Sequence, residues 1–128
     1  MDSRPTALFQ DDGTDVRTFG EVHGGAGSIQ VSRLFRDRLS LPIHVQIWEL
    51  GPGTSEGDHT HPGDDPADNW EELYYVLSGT GTITIDGTRH PLAPGDAVLV
   101  PVDVDHGLHA TGDESLRILL IFGKPPTS

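Results

Sequence analysis

Two histidines separated by one residue, His59 and His61, are the first side chains whose types and spacing suggest metal chemistry. Residues two apart on a β-strand point to the same face and lie about 7 Å apart along the chain, so both imidazoles can reach one ion. Imidazole suits zinc, copper, iron and nickel, and an added carboxylate also suits manganese. The alternative is a pair of histidines on a solvated strand face, and the short motif alone does not distinguish the two.

Two further stretches contain the donor types that would complete such a site. Glu71 and Glu72 follow the histidines within one hairpin-sized segment that ends at Gly79, and either could supply a carboxylate. The stretch GDAVLVPVDVDHG, which ends at Gly107, contains a further histidine, His106. A third imidazole and a carboxylate are donors that divalent transition metals accept.

Glycine, proline, histidine and glutamate recur at fixed distances in two blocks of the sequence. The first block is Gly53, five residues, His59-x-His61, then Glu72, six residues and Gly79; the second is Gly95, five residues, Pro101 and His106. This pattern resembles the two sequence motifs of the cupin superfamily, and the resemblance covers roughly Gly51 to Phe122. It implies an all-β fold of the cupin type, a double-stranded β-helix that forms a small antiparallel β-barrel with a metal ion inside.

The resemblance also implies one divalent metal ion, Fe, Mn, Zn or Ni, with four ligands: His59, His61, Glu72 and His106. Glu72 is preferred to Glu71 because only Glu72 has six residues before Gly79. Ten residues separate His61 from Glu72, where three or four are usual in the family. Glu71 or Asp68 therefore stays an alternative ligand. A further departure is Asp103, which stands where the second motif has a glycine, and aspartate tolerates turn conformations.

Tyr74 is the candidate catalytic residue. In the family, the residue two beyond the glutamate also faces the cavity, and strand alternation independently puts Glu72, Tyr74 and Val76 on one face. A tyrosine near a cation can act as general acid or base, because the cation lowers its pKa from about 10. The alternative is an aromatic ring that packs in the barrel and hydrogen-bonds through its hydroxyl.

Three other features have less specific interpretations. The surplus loop, about Gly63 to Asn69, is either a lid that selects a cationic or polar substrate or a solvated acidic loop, and we favour the solvated loop. His23 and His90 have no partner in the sequence and are expected to have no role in the site. Glu56 is expected to hydrogen-bond within its own loop.

The segments around these motifs predict many short strands and no amphipathic helix. Strands are expected at 19–23, 28–35, 43–50, 58–61, 72–77, 81–86, 88–91, 97–100, 106–110 and 116–122. The segment TITIDGTRH predicts a hairpin with Asp86 and Gly87 at the turn. A helix over 31–39 is an alternative for one segment. We expect an N-terminal arm at 1–18, a cupin barrel at 19–123 and a C-terminal tail at 124–128.

Composition limits the classes of partner. The 128 residues suit one domain, and their 20 acidic and 8 basic side chains give a net charge of −12, which repels nucleic acid and anionic membranes. Without cysteine, neither disulfides nor thiolate ligands are possible. No apolar run reaches membrane-spanning length and no signal peptide is evident, so a cytoplasmic location is expected.

The resemblance and its ligand set predict a divalent-metal-dependent enzyme that acts on a small polar molecule. With Fe(II) the enzyme would be a dioxygenase, which we favour because short cupins with this ligand set often do that work. The alternatives are an Mn-, Zn- or Ni-dependent lyase, isomerase or decarboxylase, or a cupin that binds a ligand without catalysis. A homodimer that pairs through edge strands near the N-terminus is expected from the family. A DNA-binding regulator is disfavoured because no helix-turn-helix pattern is present.

Overall fold

The computed structural model describes residues 6–126, and these residues form ten strands and one 3₁₀ turn without an α-helix. The strands are β1 (Val16–Gly20), β2 (Ser28–Arg33), β3 (Ile43–Leu50), β4 (Ser55–His59), β5 (Glu71–Ser78), β6 (Gly81–Ile85), β7 (Thr88–Leu92), β8 (Ala97–Val100), β9 (His106–Ala110) and β10 (Leu116–Gly123). The 3₁₀ turn, Val22–Gly24, lies between β1 and β2. No helix within residues 6–126 has the length and apolar character that crossing a membrane requires. The all-β prediction is confirmed.

The strands form two antiparallel sheets. One has six strands in the order β1-β2-β3-β10-β5-β8, and the other has four in the order β4-β9-β6-β7. Buried side chains from both sheets make one apolar cluster, whose members include Ile29, Leu50, Tyr74, Ile83, Leu108, Leu116 and Ile118. The two sheets are therefore the walls of one small barrel, as expected for the cupin type.

Strand β5 has the clearest alternation of buried and exposed residues. Glu72, Tyr74 and Val76 are buried, and the residues between them are exposed. The strand is held on both sides, because it pairs with β10 along one edge and with β8 along the other. Successive side chains of a strand point to opposite faces, so β5 directs one polar pair, Glu72 and Tyr74, into the barrel.

Two turns confirm expectations from sequence. Asp86 and Gly87 both have positive φ, 46° and 83°, which is the conformation of a two-residue type I′ hairpin, and they connect β6 to β7. Asp103 has a φ of 68°, a left-handed conformation that aspartate adopts more readily than most residues. Its side chain accepts a hydrogen bond from the backbone N–H of Gly63 at 2.8 Å, which ties the surplus loop to the turn before β9.

The strand boundaries differ from expectation in three places near the site. β1 begins at Val16, inside the expected N-terminal arm, and ends at Gly20 because the chain then enters the 3₁₀ turn. β2 ends at Arg33, since Phe35 has a φ of 50° that no strand residue adopts. β4 begins at Ser55, three residues earlier than predicted, and ends at His59, two residues earlier than predicted. His61 therefore lies in the following loop.

Candidate metal centre

The structure brings together all four residues that the family pattern singled out. His59 ends β4, His106 begins β9, and the two residues are paired across these neighbouring strands. Glu72 comes from β5 in the other sheet, and His61 lies two residues beyond β4. One ligand atom from each of the four lies within 4.8 Å of the other three, so the cluster joins the two walls of the barrel.

Glu72 is the centre of this cluster. Its Oε1 lies 3.0 Å from Nε2 of His61 and 2.9 Å from Nε2 of His106. All three residues are buried, with 5%, 8% and 1% of their surface exposed. Glu71 is exposed because it points to the opposite face of β5. The strand's alternation thus decides which of the two neighbouring glutamates meets the histidines.

Each histidine ring is oriented by an acceptor outside the cluster. Nδ1 of His59 donates to the carbonyl of Gly57 at 2.8 Å, Nδ1 of His106 to the carbonyl of Val104 at 3.0 Å, and Nδ1 of His61 to Asp68 Oδ1 at 2.9 Å. A neutral imidazole that donates from Nδ1 has its lone pair on Nε2. The three Nε2 atoms are therefore directed into the cluster, where those of His61 and His106 lie within hydrogen-bond distance of Glu72 and would have to lose their proton to bind an ion.

The cluster fits a divalent cation. Nε2 of His59 is buried and has no hydrogen-bond partner among the described residues. A buried nitrogen without a partner lowers the stability of the folded state, because it has lost its hydrogen bonds to water. A cation held by the four residues would bind this nitrogen. Three imidazoles and one carboxylate are a donor set that Fe, Mn, Zn and Ni accept.

The pKa values of His59 and Glu72 suit metal binding, whereas His61 would release a proton when an ion binds. Burial lowers the pKa of His59 to about 4, which keeps its ring neutral. Burial alone would raise the pKa of Glu72, but hydrogen bonds from His106 and His61 outweigh burial and lower it to about 2. The same hydrogen bond to Glu72 raises the pKa of His61 to about 9. An ionised carboxylate therefore lies among the three rings.

Tyr74 lies next to the cluster with a partner that the sequence did not indicate. Its side chain is fully buried, and its hydroxyl donates to Glu56 Oε1 at 3.1 Å and lies 3.5 Å from Glu72 Oε2. Burial, with repulsion from Glu72, raises the pKa of Glu56 to about 8. Burial and the two carboxylates raise the pKa of Tyr74 well above 10, and a bound cation acts in the opposite direction.

The expectation that Glu56 hydrogen-bonds within its own loop was wrong because of an irregularity in β4. Glu56 pairs with Leu108 and His59 pairs with His106, so two residues of β4 face the single residue Gly107 of β9. Such a bulge adds one residue to a strand and changes which side chains share a face. Glu56 and His59 therefore both point into the barrel, although they are three residues apart.

His23 was expected to have no role in the site, but it contacts the cluster. Its ring stacks on the ring of His59, with a centroid separation of 3.6 Å and an angle of 8° between the planes. It also lies edge-on to His61, at 6.2 Å. No sequence spacing connects residue 23 with residue 59, so only the path of the chain between β1 and β2 shows this contact.

The surplus loop is more than the solvated loop that we favoured. Its tip is exposed, but Asp68 near its end is the hydrogen-bond partner of His61. Lys124 fixes the loop from the other side, because its Nζ donates to the carbonyl of Pro66 and lies 4.9 Å from the centre of the Trp70 ring. Asp68 thus orients a proposed ligand, where it had been considered as an alternative ligand.

Comparisons with known proteins agree with this architecture. The family model for the cupin domain matches residues 46–122. The dimethylsulfoniopropionate lyase DddW of Ruegeria pomeroyi is 39% identical over 105 residues, which are 82% of this chain and 60% of the lyase. Protein SchB of Streptomyces halstedii is 35% identical over 72 residues, 56% of this chain and 48% of SchB. The chain therefore spans about half to three fifths of the length of these two relatives.

Solved structures share the fold. The crystal structure of a predicted oxalate decarboxylase from Thermotoga maritima superposes with a TM-score of 0.80 and 22% identity, and the match covers 93% of this chain and all of that one. Curated relatives include a lyase, a dioxygenase and binding proteins, and relatives act on small molecules. The family match extends over more than half of the sequence, and the chain therefore belongs to the cupin domain family.

Proposed function

We propose that this chain is a divalent-metal-dependent lyase that acts on a small carboxylate, with the metal ligands His59, His61, Glu72 and His106. The observation that carries the proposal is the buried hydrogen bond from Tyr74 to Glu56 beside the four-residue cluster. When bound, the ion supplies a Lewis acid that polarises the substrate carboxylate and makes the adjacent C–H bond more acidic. Fe, Mn, Zn and Ni all suit the donor set.

The pair Tyr74 and Glu56 provides a general base that is shielded from water. Tyr74 has no exposed surface and Glu56 has 1%. In the proposed step, the ionised form of Glu56, which predominates only above its pKa of about 8, accepts the phenol proton while the Tyr74 oxygen takes the proton from the carbon next to the substrate carboxylate. The electron pair of that C–H bond forms a C=C bond, and the group on the next carbon leaves with its own bonding pair. A protein that only stored an ion would not require this pair.

The relatives support a small carboxylate as substrate. Three of them are named for dimethylsulfoniopropionate, oxalate and 5-aminosalicylate, which are all small carboxylates. The match to the lyase covers 82% of this chain, whereas the match to the dioxygenase covers 41%. This difference favours lyase chemistry over the Fe(II) dioxygenase chemistry that we expected from the ligand set.

Dimethylsulfoniopropionate is the substrate with which to test the proposal. Protein loaded with Fe(II), Mn(II), Zn(II) or Ni(II) is incubated with this compound under nitrogen, and dimethyl sulfide is measured by gas chromatography and acrylate by NMR. We expect equal amounts of both products without oxygen, because the reaction breaks one C–S bond and transfers one proton. Release of neither product with any of the four ions would overturn the lyase assignment.

Replacement of Tyr74 by phenylalanine should abolish turnover and leave the metal bound. General-base catalysis typically raises a reaction rate by about 10²- to 10⁴-fold. We therefore expect kcat to fall by at least about 100-fold in Tyr74→Phe. Tyr75→Phe is the matched control, since Tyr75 is the next residue of β5 and is 40% exposed on the opposite face. Metal content by mass spectrometry distinguishes loss of the base from loss of the ion.

Dioxygenase chemistry is the second candidate. Three imidazoles and one carboxylate leave two positions of a six-coordinate ion free, which suits binding of a substrate together with dioxygen. Oxygen uptake by the Fe(II)-loaded protein with 5-aminosalicylate or a small diol, without elimination under nitrogen, would replace the lyase by this candidate.

A further inference from the structure

The segment between β1 and β2, residues 21–27, crosses the strand that contributes His59, and we call it the strap. The N–H of Ser55 donates to the carbonyl of Ala26, and the N–H of Ala26 donates to the Ser55 hydroxyl, both at 2.9 Å. A third bond, from the N–H of Glu21 to the carbonyl of Gly27, closes the strap on itself. These bonds fix the strap against β4.

Two glycines allow the strap to approach β4 so closely. A Cβ on Gly25 would overlap the carbonyl of Ser55, and a Cβ on Gly57 would overlap the carbonyl of His23. Any side chain at either position would push the two backbones apart. This contact explains why the chain has a glycine-rich run, GGAG, at residues 24–27.

The strap also holds two non-glycine residues in the left-handed conformation. Glu21 has a φ of 48° and His23 a φ of 50°. Such residues are uncommon, and they cluster at functional sites where the surrounding structure maintains them. Here the conformation has one evident result, which is that the imidazole of His23 turns back onto the ring of His59.

His23 is the exposed member of the histidine group. His61 and His106 are buried and His59 is half-buried, whereas His23 faces solvent. A ring nitrogen of His23 lies within 4.8 Å of both a Glu56 carboxylate oxygen and a nitrogen of His59. His23 therefore lies between bulk solvent and the residues to which we assign metal binding and proton transfer.

We propose that His23 is a substrate-contacting residue, which the strap holds at the entrance of the candidate metal centre to hydrogen-bond an oxygen of a small carboxylate. This inference rests on the proposed function, because the carboxylate would be bound by the ion as well. The ring nitrogens of His23 make no hydrogen bond to residues 6–126, so they are available to a ligand. Imidazole can donate to a carboxylate oxygen from either nitrogen.

Calorimetric titration of the zinc-loaded protein with oxalate tests the inference without turnover. The variants are His23→Asn and His23→Ala, and asparagine is included because it tolerates the left-handed conformation and keeps the strap folded. Loss of a hydrogen bond to a charged group raises the dissociation constant by about tenfold or more. We expect this loss in both variants, with zinc content unchanged in both and the thermal midpoint unchanged in His23→Asn.

His90→Asn is the control, since His90 is an exposed histidine on β7 outside the group, and its oxalate affinity should equal that of the wild type. Unchanged affinity in both His23 variants would overturn the inference. So would a wild-type protein that retains zinc but does not bind oxalate. A wild-type protein that does not retain zinc would instead contradict the proposed function, and the inference with it.

Discussion

The three histidines of the cluster differ in what holds their Nδ1 atoms. His59 and His106 donate to backbone carbonyls, which fix the ring but carry no net charge. His61 donates to the carboxylate of Asp68, and a carboxylate partner makes the opposite nitrogen a stronger electron donor. We therefore expect His61 to contribute more to metal affinity than its position in a loop would suggest, because the surplus loop supplies its partner.

Replacement of Asp68 by asparagine tests this difference at a single residue. Asparagine keeps an acceptor oxygen but removes the charge, and the loss of such partners typically costs about 10- to 100-fold in metal affinity. We expect the zinc dissociation constant, measured by competition with a chelating dye, to rise by this factor. Asp64→Asn is the control, since Asp64 is exposed in the same loop. Equal zinc affinity in Asp68→Asn and wild type would show that Asp68 has no positioning role.

At the scale of elements, the site depends on β4 more than on any other strand. Its bulge turns Glu56 and His59 to the same face, and Gly57 within the bulge is where the strap crosses. A regular strand would alternate and would place these two residues on opposite faces. The same irregularity thus accounts for the partner of Tyr74 and for the position of His23.

Substitution of Gly57 by alanine should disturb this crossing. The added Cβ would overlap the carbonyl of His23, a backbone atom that can move only with the strap. Overpacking of this kind typically costs about 1–3 kcal/mol, so the free energy of unfolding in urea should fall by that amount. Gly20→Ala is the control, because its Cβ would meet only the Ser28 hydroxyl at 3.6 Å, an ordinary contact. Equal stability of the two variants would contradict the close packing.

At the scale of the whole molecule, the outer face of the six-stranded sheet is unusually apolar. Two rows of apolar side chains cross β8, β5, β10 and β3: Leu99, Leu73, Ile121 and Val45 in one, and Ala97, Tyr75, Leu119 and Ile47 in the next. Leu99 is 60% exposed, Tyr75 40% and Leu73 37%. Contiguous apolar surface of this kind marks interaction sites. We propose that a second copy of the chain covers it, instead of the N-terminal edge strands expected from the family.

Mass measurement in solution tests this dimer. Light scattering after size exclusion should give twice the 13.8 kDa of one chain. The double variant Leu73→Lys, Leu99→Lys should give one chain mass, since it would bury two unpaired charges in the interface. Leu41→Lys is the control, because Leu41 is 60% exposed but lies outside the two rows. A wild-type protein that is monomeric at micromolar concentration would contradict the proposal.

Much of the fold and the core of the site followed from local patterns. Alternation is a property of a strand's own residues, so β5 and the inward positions of Glu72 and Tyr74 could be predicted. The turn at Asp86 and Gly87 could be predicted because two residues suffice to specify that hairpin. The meeting of Glu72 with the three histidines followed from spacings that resemble a family pattern, and the structure brings these residues together.

The partners of these residues were decided by the tertiary structure alone. Glu56 faces Tyr74 because β4 has a bulge, and a bulge depends on pairing with β9. His23 reaches His59 because two glycines let separate backbones touch, and Asp68 reaches His61 because a loop folds back. Each contact joins two segments of the chain, and no periodic pattern in the sequence relates the positions of the two residues. The sequence alone therefore determined the HxH motif and its glutamate, whereas the contacts that orient the site required the chain to close into a barrel.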